Sequence, residues 1–103
     1  MLSTPNAFAL LDTSSSVPGL DVLYVADTTN GAGVHKYVFD GLVWTEGMQL
    51  NSGIPTSTQC LSVAARLVGT TPVVLCSAAN GTIYRITDVG VTPTAIALIA
   101  APT

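Results

Sequence analysis

The chain alternates short apolar runs with clusters of polar turn formers, and no apolar run repeats at about 3.6 residues. Leu20 to Ala26 (LDVLYVA) is β-branched, aromatic and apolar, and Asp27 to Gly33 (DTTNGAG) interrupts it. Val34 to Phe39 (VHKYVF) and Leu42 to Leu50 (LVWTEGMQL) follow, divided by Asp40-Gly41. Asp-Gly between two such runs predicts a two-residue hairpin turn. That turn would set Phe39 opposite Leu42, Tyr37 opposite Trp44 and His35 opposite Glu46. A longer loop over Asp40 to Val43 would shift this register. Ala7 to Leu11 reads as a strand before this stretch, and Asp12 to Gly19 as a loop. Asn51 to Thr58 reads as a linker. Beyond it come Leu61 to Val68, a turn at Gly69 to Pro72, Val73 to Ala79, an Asn80-Gly81 hairpin, Thr82 to Thr87, a turn at Asp88 to Gly90, and Ala95 to Ala101.

The two halves follow one plan. Ala7 to Leu11 matches Leu61 to Ala65, and Tyr24-Val25-Ala26 matches Val74-Leu75-Cys76. Asn30-Gly31 matches Asn80-Gly81, and Val34 to Asp40 matches Thr82 to Asp88. A period of about 50 residues with four strands in each repeat is the spacing of propeller blades. Runs such as VVLCSAA and AIALIAA are apolar throughout, as strands covered on both faces are. The pattern therefore predicts an all-β fold of two four-stranded antiparallel propeller blades, residues 1–53 and 54–103. Two blades alone would leave an apolar face at each end. Heterologous contacts close such units into rings, so the partner expected first is the chain itself. A homotrimer forming a six-bladed β-propeller leads, with a four-subunit ring next.

Composition narrows the function classes. Hydrophobic residues make up 49% of the 103 and charged residues 9%, against about 25% charged in ordinary globular domains. So few charges cannot cover the exposed surface, so much of it is covered by something else or the outside is rich in Ser, Thr, Asn and Gly. The cations are Lys36, Arg66 and Arg85 and the net charge is −3. Phosphate tracking needs clustered Lys and Arg, which argues against nucleic acid and against an anionic membrane. No apolar run reaches the length of a membrane helix. Low Lys and abundant Thr and Ser lean weakly towards a place outside the cytoplasm. The cysteines, Cys60 and Cys76, are expected to be free. In a hairpin turning at Gly69 to Pro72, Cys76 would face a residue near 64, four positions from Cys60, and that offset of about 13 Å exceeds disulfide reach.

From Val22 to Leu50 the chain resembles the repeats of bacterial β-propeller proteins related to the NHL group. A second resemblance is to the two-blade fucose-binding lectins, through the hairpin Phe39-Asp40-Gly41-Leu42-Val43-Trp44. That likeness implies trimerisation into six blades, with sugar sites between blades. Lys36 stands about where the sugar-binding Glu of those lectins would be, and the second repeat has no Trp.

Candidate chemistry is sparse. His35 is the sole histidine, and with Glu46 it could form an acid–base pair. Trp44 with Tyr37 could form a sugar platform. Asp27-Thr28-Thr29-Asn30-Gly31 offers oxygens for Ca²⁺, but hairpin loops use these residues for their own geometry. GxSxG, CxxC and HxxxH are absent, so no catalytic residue, metal ligand or cofactor is assigned. The leading expectation is a non-catalytic scaffold or interaction module. The alternatives are a lectin-like carbohydrate or protein binder using His35, Tyr37, Trp44 and Glu46, and a piece of a larger propeller protein or enzyme.

Overall fold

The computed structural model describes residues 5–14, 17–89 and 93–99. They form eight strands and no helix. The strands are β1 (Pro5–Leu11), β2 (Val22–Asp27), β3 (Val34–Phe39), β4 (Trp44–Leu50), β5 (Cys60–Val68), β6 (Thr71–Ala78), β7 (Ile83–Thr87) and β8 (Ile96–Ile99). Two four-stranded antiparallel sheets result, ordered β1-β2-β3-β4 and β5-β6-β7-β8. The all-β fold with two four-stranded antiparallel sheets thus agrees with the strand pattern. Ala100 and Ala101, expected in the last strand, lie outside the described residues, as does Gly90 of the last predicted turn.

The Asp40-Gly41 hairpin is not a two-residue turn. The Asp40 carboxylate accepts the N–H of Leu42 at 2.8 Å and of Val43 at 2.9 Å, and the Asp40 N–H donates to the Val43 carbonyl at 3.2 Å. These bonds stabilise a four-residue loop over Asp40 to Val43. Phe39 therefore pairs with Trp44, and Tyr37 with Glu46. Asn80-Gly81 is likewise not a two-residue turn. Within this loop Gly81 alone takes a left-handed φ, 88°, and among the described residues no non-glycine residue has positive φ. The Ala78 N–H bonds the Thr82 carbonyl at 2.9 Å, closing a three-residue loop of a common hairpin class.

Closing bonds of this kind show which residues of the two sheets are equivalent. The Asp27 N–H donates to the Gly33 carbonyl at 3.0 Å as Ala78 does to Thr82. Phe39 donates to Asp21 at 2.9 Å as Asp88 does to Pro72 at 3.0 Å. Each sheet also carries a bulge in its first strand, at Asn6 and at Leu61. Tyr24 therefore corresponds to Leu75, Lys36 to Arg85, Phe8 to Val63 and Phe39 to Asp88. The match expected from sequence is one residue out along each strand. A slip of one exchanges the two faces of a sheet, so this correction decides how the sheets are related.

Between the sheets lie Tyr24, Ala26, Val34 and Leu50 from the first and Val74, Cys76, Tyr84 and Ile86 from the second, all buried. We name these the inner faces. By the equivalences above, the inner face of the first sheet corresponds to the outer face of the second. The sheets stack front to back rather than as mirror partners. β1 and β5 lie side by side, and the Asn6 amide donates to the Leu61 carbonyl, one bulge residue to the other. The linker returns beneath the second sheet. At Gly53, with φ of +86°, a Cβ would lie 2.6 Å from the Ala95 carbonyl oxygen, so only glycine fits there.

Cys60 and Cys76 are joined as a disulfide with their Cα atoms 5.7 Å apart, which corrects the expectation of free thiols. Cys76 faces Val63, and Cys60 faces Ala78. Cys76 faces position 63 rather than 64, and the bulge at Leu61 removes one further position, so the predicted offset of four becomes two ladder steps.

The loop between β1 and β2 is held by Asp21. Its carboxylate accepts the Thr13 N–H at 2.6 Å, the Thr13 hydroxyl at 2.9 Å and the Ser14 N–H at 2.6 Å. Burial opposes its ionisation, but these bonds outweigh burial and hold its pKa below the ordinary value. A lowered folded pKa stabilises the fold above the unfolded value, about 3.9, and that contribution disappears as pH falls through the folded value. Asp21→Asn should therefore cost about 2 kcal/mol at neutral pH and flatten the loss of stability below about pH 4. Urea titrations across that range measure both effects. An unchanged acid limb would show that Asp21 does not carry the linkage.

Candidate functional site

His35, Tyr37, Trp44 and Glu46 all stand on the outer face of the first sheet. β3 presents His35, Tyr37 and Phe39 on this face by its two-residue period, and β4 presents Trp44 and Glu46 beside them. The predicted His35–Glu46 contact exists, with Nδ1 3.5 Å from the Glu46 Oε2. The two are not direct cross-strand partners, because His35 faces Gln49 and an irregularity in β4 brings Glu46 within reach.

A second carboxylate completes the arrangement. The His35 Nε2 lies 3.3 Å from the Asp27 Oδ2, and both side chains are buried. Asp27 sits two positions beyond Val25, the β2 partner of His35, so the two are diagonal neighbours on one face. The Asp27 carboxylate also accepts the Thr29 N–H at 2.8 Å, which shapes the β2–β3 loop. Burial raises the Tyr37 phenol pKa, and the Glu46 and Asp27 charges add to that effect. Asp27 and Glu46 approach opposite nitrogens of one imidazole, so the three groups do not converge on a point. Among the described residues no group of three or more His, Cys, Asp or Glu side chains could hold a metal ion. The imidazole lies between the two carboxylates on the face shared by β2, β3 and β4, and neither of its ring nitrogens makes a hydrogen bond to a described residue.

Trp44 has a different aromatic partner from the one expected. Its ring stacks on Phe39, with centroids 5.1 Å apart and planes at 29°. Within the chain Trp44 is 44% exposed, not covered on both sides. It borders a shallow groove of about 520 Å³ with Phe8, Leu10, Leu23 and Val25. The groove walls are apolar, and Phe8 is 67% exposed. The outer face of the second sheet has a smaller hollow of about 340 Å³ around Ala64, Leu75 and Leu98, flanked by Arg66 and Arg85.

The strongest polar constellation lies at neither outer face but between the sheets. Asp88 follows β7 and is buried. Its Oδ2 accepts the Tyr24 hydroxyl at 2.7 Å and the Lys36 ammonium at 2.6 Å. Burial first, and then the Asp88 bond and charge, raise the Tyr24 phenol far above its ordinary value, so it stays a donor at any physiological pH. The sequence reading did not bring these three residues together, since a lone Lys and a lone Asp in different repeats carry no motif. Comparison with protein-family models, with curated proteins and with solved structures finds no match.

Proposed function

We propose that the chain is a non-catalytic scaffold, a two-blade β-propeller unit that assembles with copies of itself into a closed ring. One observation carries this reading: the sheets stack front to back, so the two free faces are equivalents of the two faces already packed together. The outer groove residues Phe8, Leu10, Leu23 and Val25 correspond to Val63, Ala65, Val74 and Cys76, which line the joint inside the chain. Leu75 and Arg85 on the opposite end correspond to Tyr24 and Lys36 of that joint. An apolar face whose counterpart is buried within the same chain is suited to the same step repeated between chains. Exposed apolar areas of this kind mark interaction surfaces on soluble proteins.

The contact is heterologous, and a rotation that closes gives a ring. At about 60° for each blade, three chains complete six blades. Light scattering after size exclusion tests this. Three times the 10.5 kDa chain mass is expected. A folded β protein with the mass of one chain at every concentration would reject the ring.

A further inference from the structure

The geometry points to a defined seam between copies, in which Arg85 of one copy seats its guanidinium on the stacked Phe39–Trp44 pair of the next. This seam rests on the ring reading above and names its partner surface. At the joint inside the chain, Tyr24 and Lys36 converge on Asp88. Their equivalents on the outer face of the second sheet are Leu75 and Arg85. The equivalent of Asp88 is Phe39, on the outer face of the first sheet. Repeating the front-to-back step between copies therefore brings Arg85 to the place of Phe39.

The two sides of the seam change chemistry together. Where the inner joint has a carboxylate, the seam has an aromatic pair with centroids 5.1 Å apart. Where the inner joint has the compact ammonium of Lys36, the seam has a planar guanidinium, the cation that stacks on aromatic faces. Asp40 follows Phe39 directly. The N–H groups of Val43 and Leu42 hold its carboxyl below the usual range, so it supplies negative charge at the edge of the pair.

The charge layout also selects a second copy as the occupant, and head to tail. Five of the six acids, Asp12, Asp21, Asp27, Asp40 and Glu46, belong to the first sheet and its loops. Two of the three cations, Arg66 and Arg85, stand on the outer face of the second sheet. The remaining pair, Lys36 and Asp88, bridges the sheets. Unlike ends attract and like ends repel, which favours rings over mirror-image dimers.

Trp44 is the only tryptophan, so its emission reports this seam. Dilution of the wild-type ring should shift the emission to the red in step with the fall in mass. Arg85→Ala should raise the dissociation constant at least tenfold and give the diluted wild-type emission at concentrations where the wild type is assembled, with an unchanged β spectrum. Arg85→Lys should recover part of the loss, and Arg66→Ala on the same face should change the constant less than Arg85→Ala. A wild-type ring whose mass and Trp44 emission are indifferent to Arg85→Ala and Arg85→Lys would reject the seam and leave the ring intact. A wild type that stays monomeric would reject the ring and the seam together.

Discussion

Asp88→Ala is expected to be the most damaging single substitution at the joint between the sheets, lowering stability by about 3–5 kcal/mol. The cause is what it leaves behind. The Lys36 side chain is 16% exposed and Tyr24 fully buried, and both direct their polar ends at the Asp88 Oδ2. Removing the carboxylate strands an ammonium and a hydroxyl where water hardly reaches. A loss of that size is a large part of the 5–15 kcal/mol that a small domain has in total. The effect should be coupled. In the Asp88→Ala background, adding Lys36→Met and Tyr24→Phe should restore much of the stability, because no buried polar group is then left without its partner. Urea denaturation of the single and combined variants measures the coupling. If Asp88→Ala cost less than about 1 kcal/mol, the bridge would be a surface ion pair in energetic terms. The joint would then be held by apolar burial alone.

The strands were legible in the sequence where residue type alone decides. β3 runs over Val34–Phe39 as the pattern predicts, and β2 begins two residues late because Asp21 turns its carboxylate back to Thr13 and Ser14. Register was less legible. The loop bounded by Asp27 and Gly33 has five residues and its counterpart bounded by Ala78 and Thr82 has three. Aligning Asn30-Gly31 with Asn80-Gly81 therefore misplaces the strands beside them. Strands that are apolar on both faces carry no alternation to correct such a slip. At Asp40 the longer of the two loops left open is the one formed: dipeptide statistics favour a two-residue turn, whereas one carboxylate accepting two N–H groups fixes a four-residue loop. His35 and Glu46 were found together, but Asp27 was read as a loop oxygen donor. Its diagonal position to His35 becomes visible only when β2 and β3 are paired. Trp44 was expected opposite Tyr37, and the four-residue loop sets it opposite Phe39 instead. The chain covers one side of it with Phe39 and leaves the groove side open.

Thiol titration of the denatured, unreduced protein should find no free thiol, and titration after reduction should find two. The same residues were expected to be free from a four-position offset, and the pairing of Cys76 with Val63 together with the bulge at Leu61 cuts that offset to two ladder steps. It lets Cys60 and Cys76 meet on the inner face of the second sheet, with both side chains buried. The bond closes a loop with a sequence separation of 16. Cross-linking a loop of that length removes unfolded-state freedom worth about 3 kcal/mol. For a domain of this size that corresponds to a fall of about 12–24 °C in Tm on reduction. The sulfurs lie in the core, so reduction should be slow in the folded protein and fast in urea. Cys60→Ala with Cys76→Ala should melt near the reduced wild type, which separates loss of the cross-link from any effect of the reductant. The loss should also reach assembly. Cys76 corresponds to Val25 of the outer groove, so the disulfide stiffens the inner counterpart of the surface that would receive the next copy. Two titratable thiols in the unreduced protein would overturn the pairing. They would imply that the β5 bulge is absent, that Cys60 lies further along the ladder, and that the equivalence between the bulges of the two sheets fails with it.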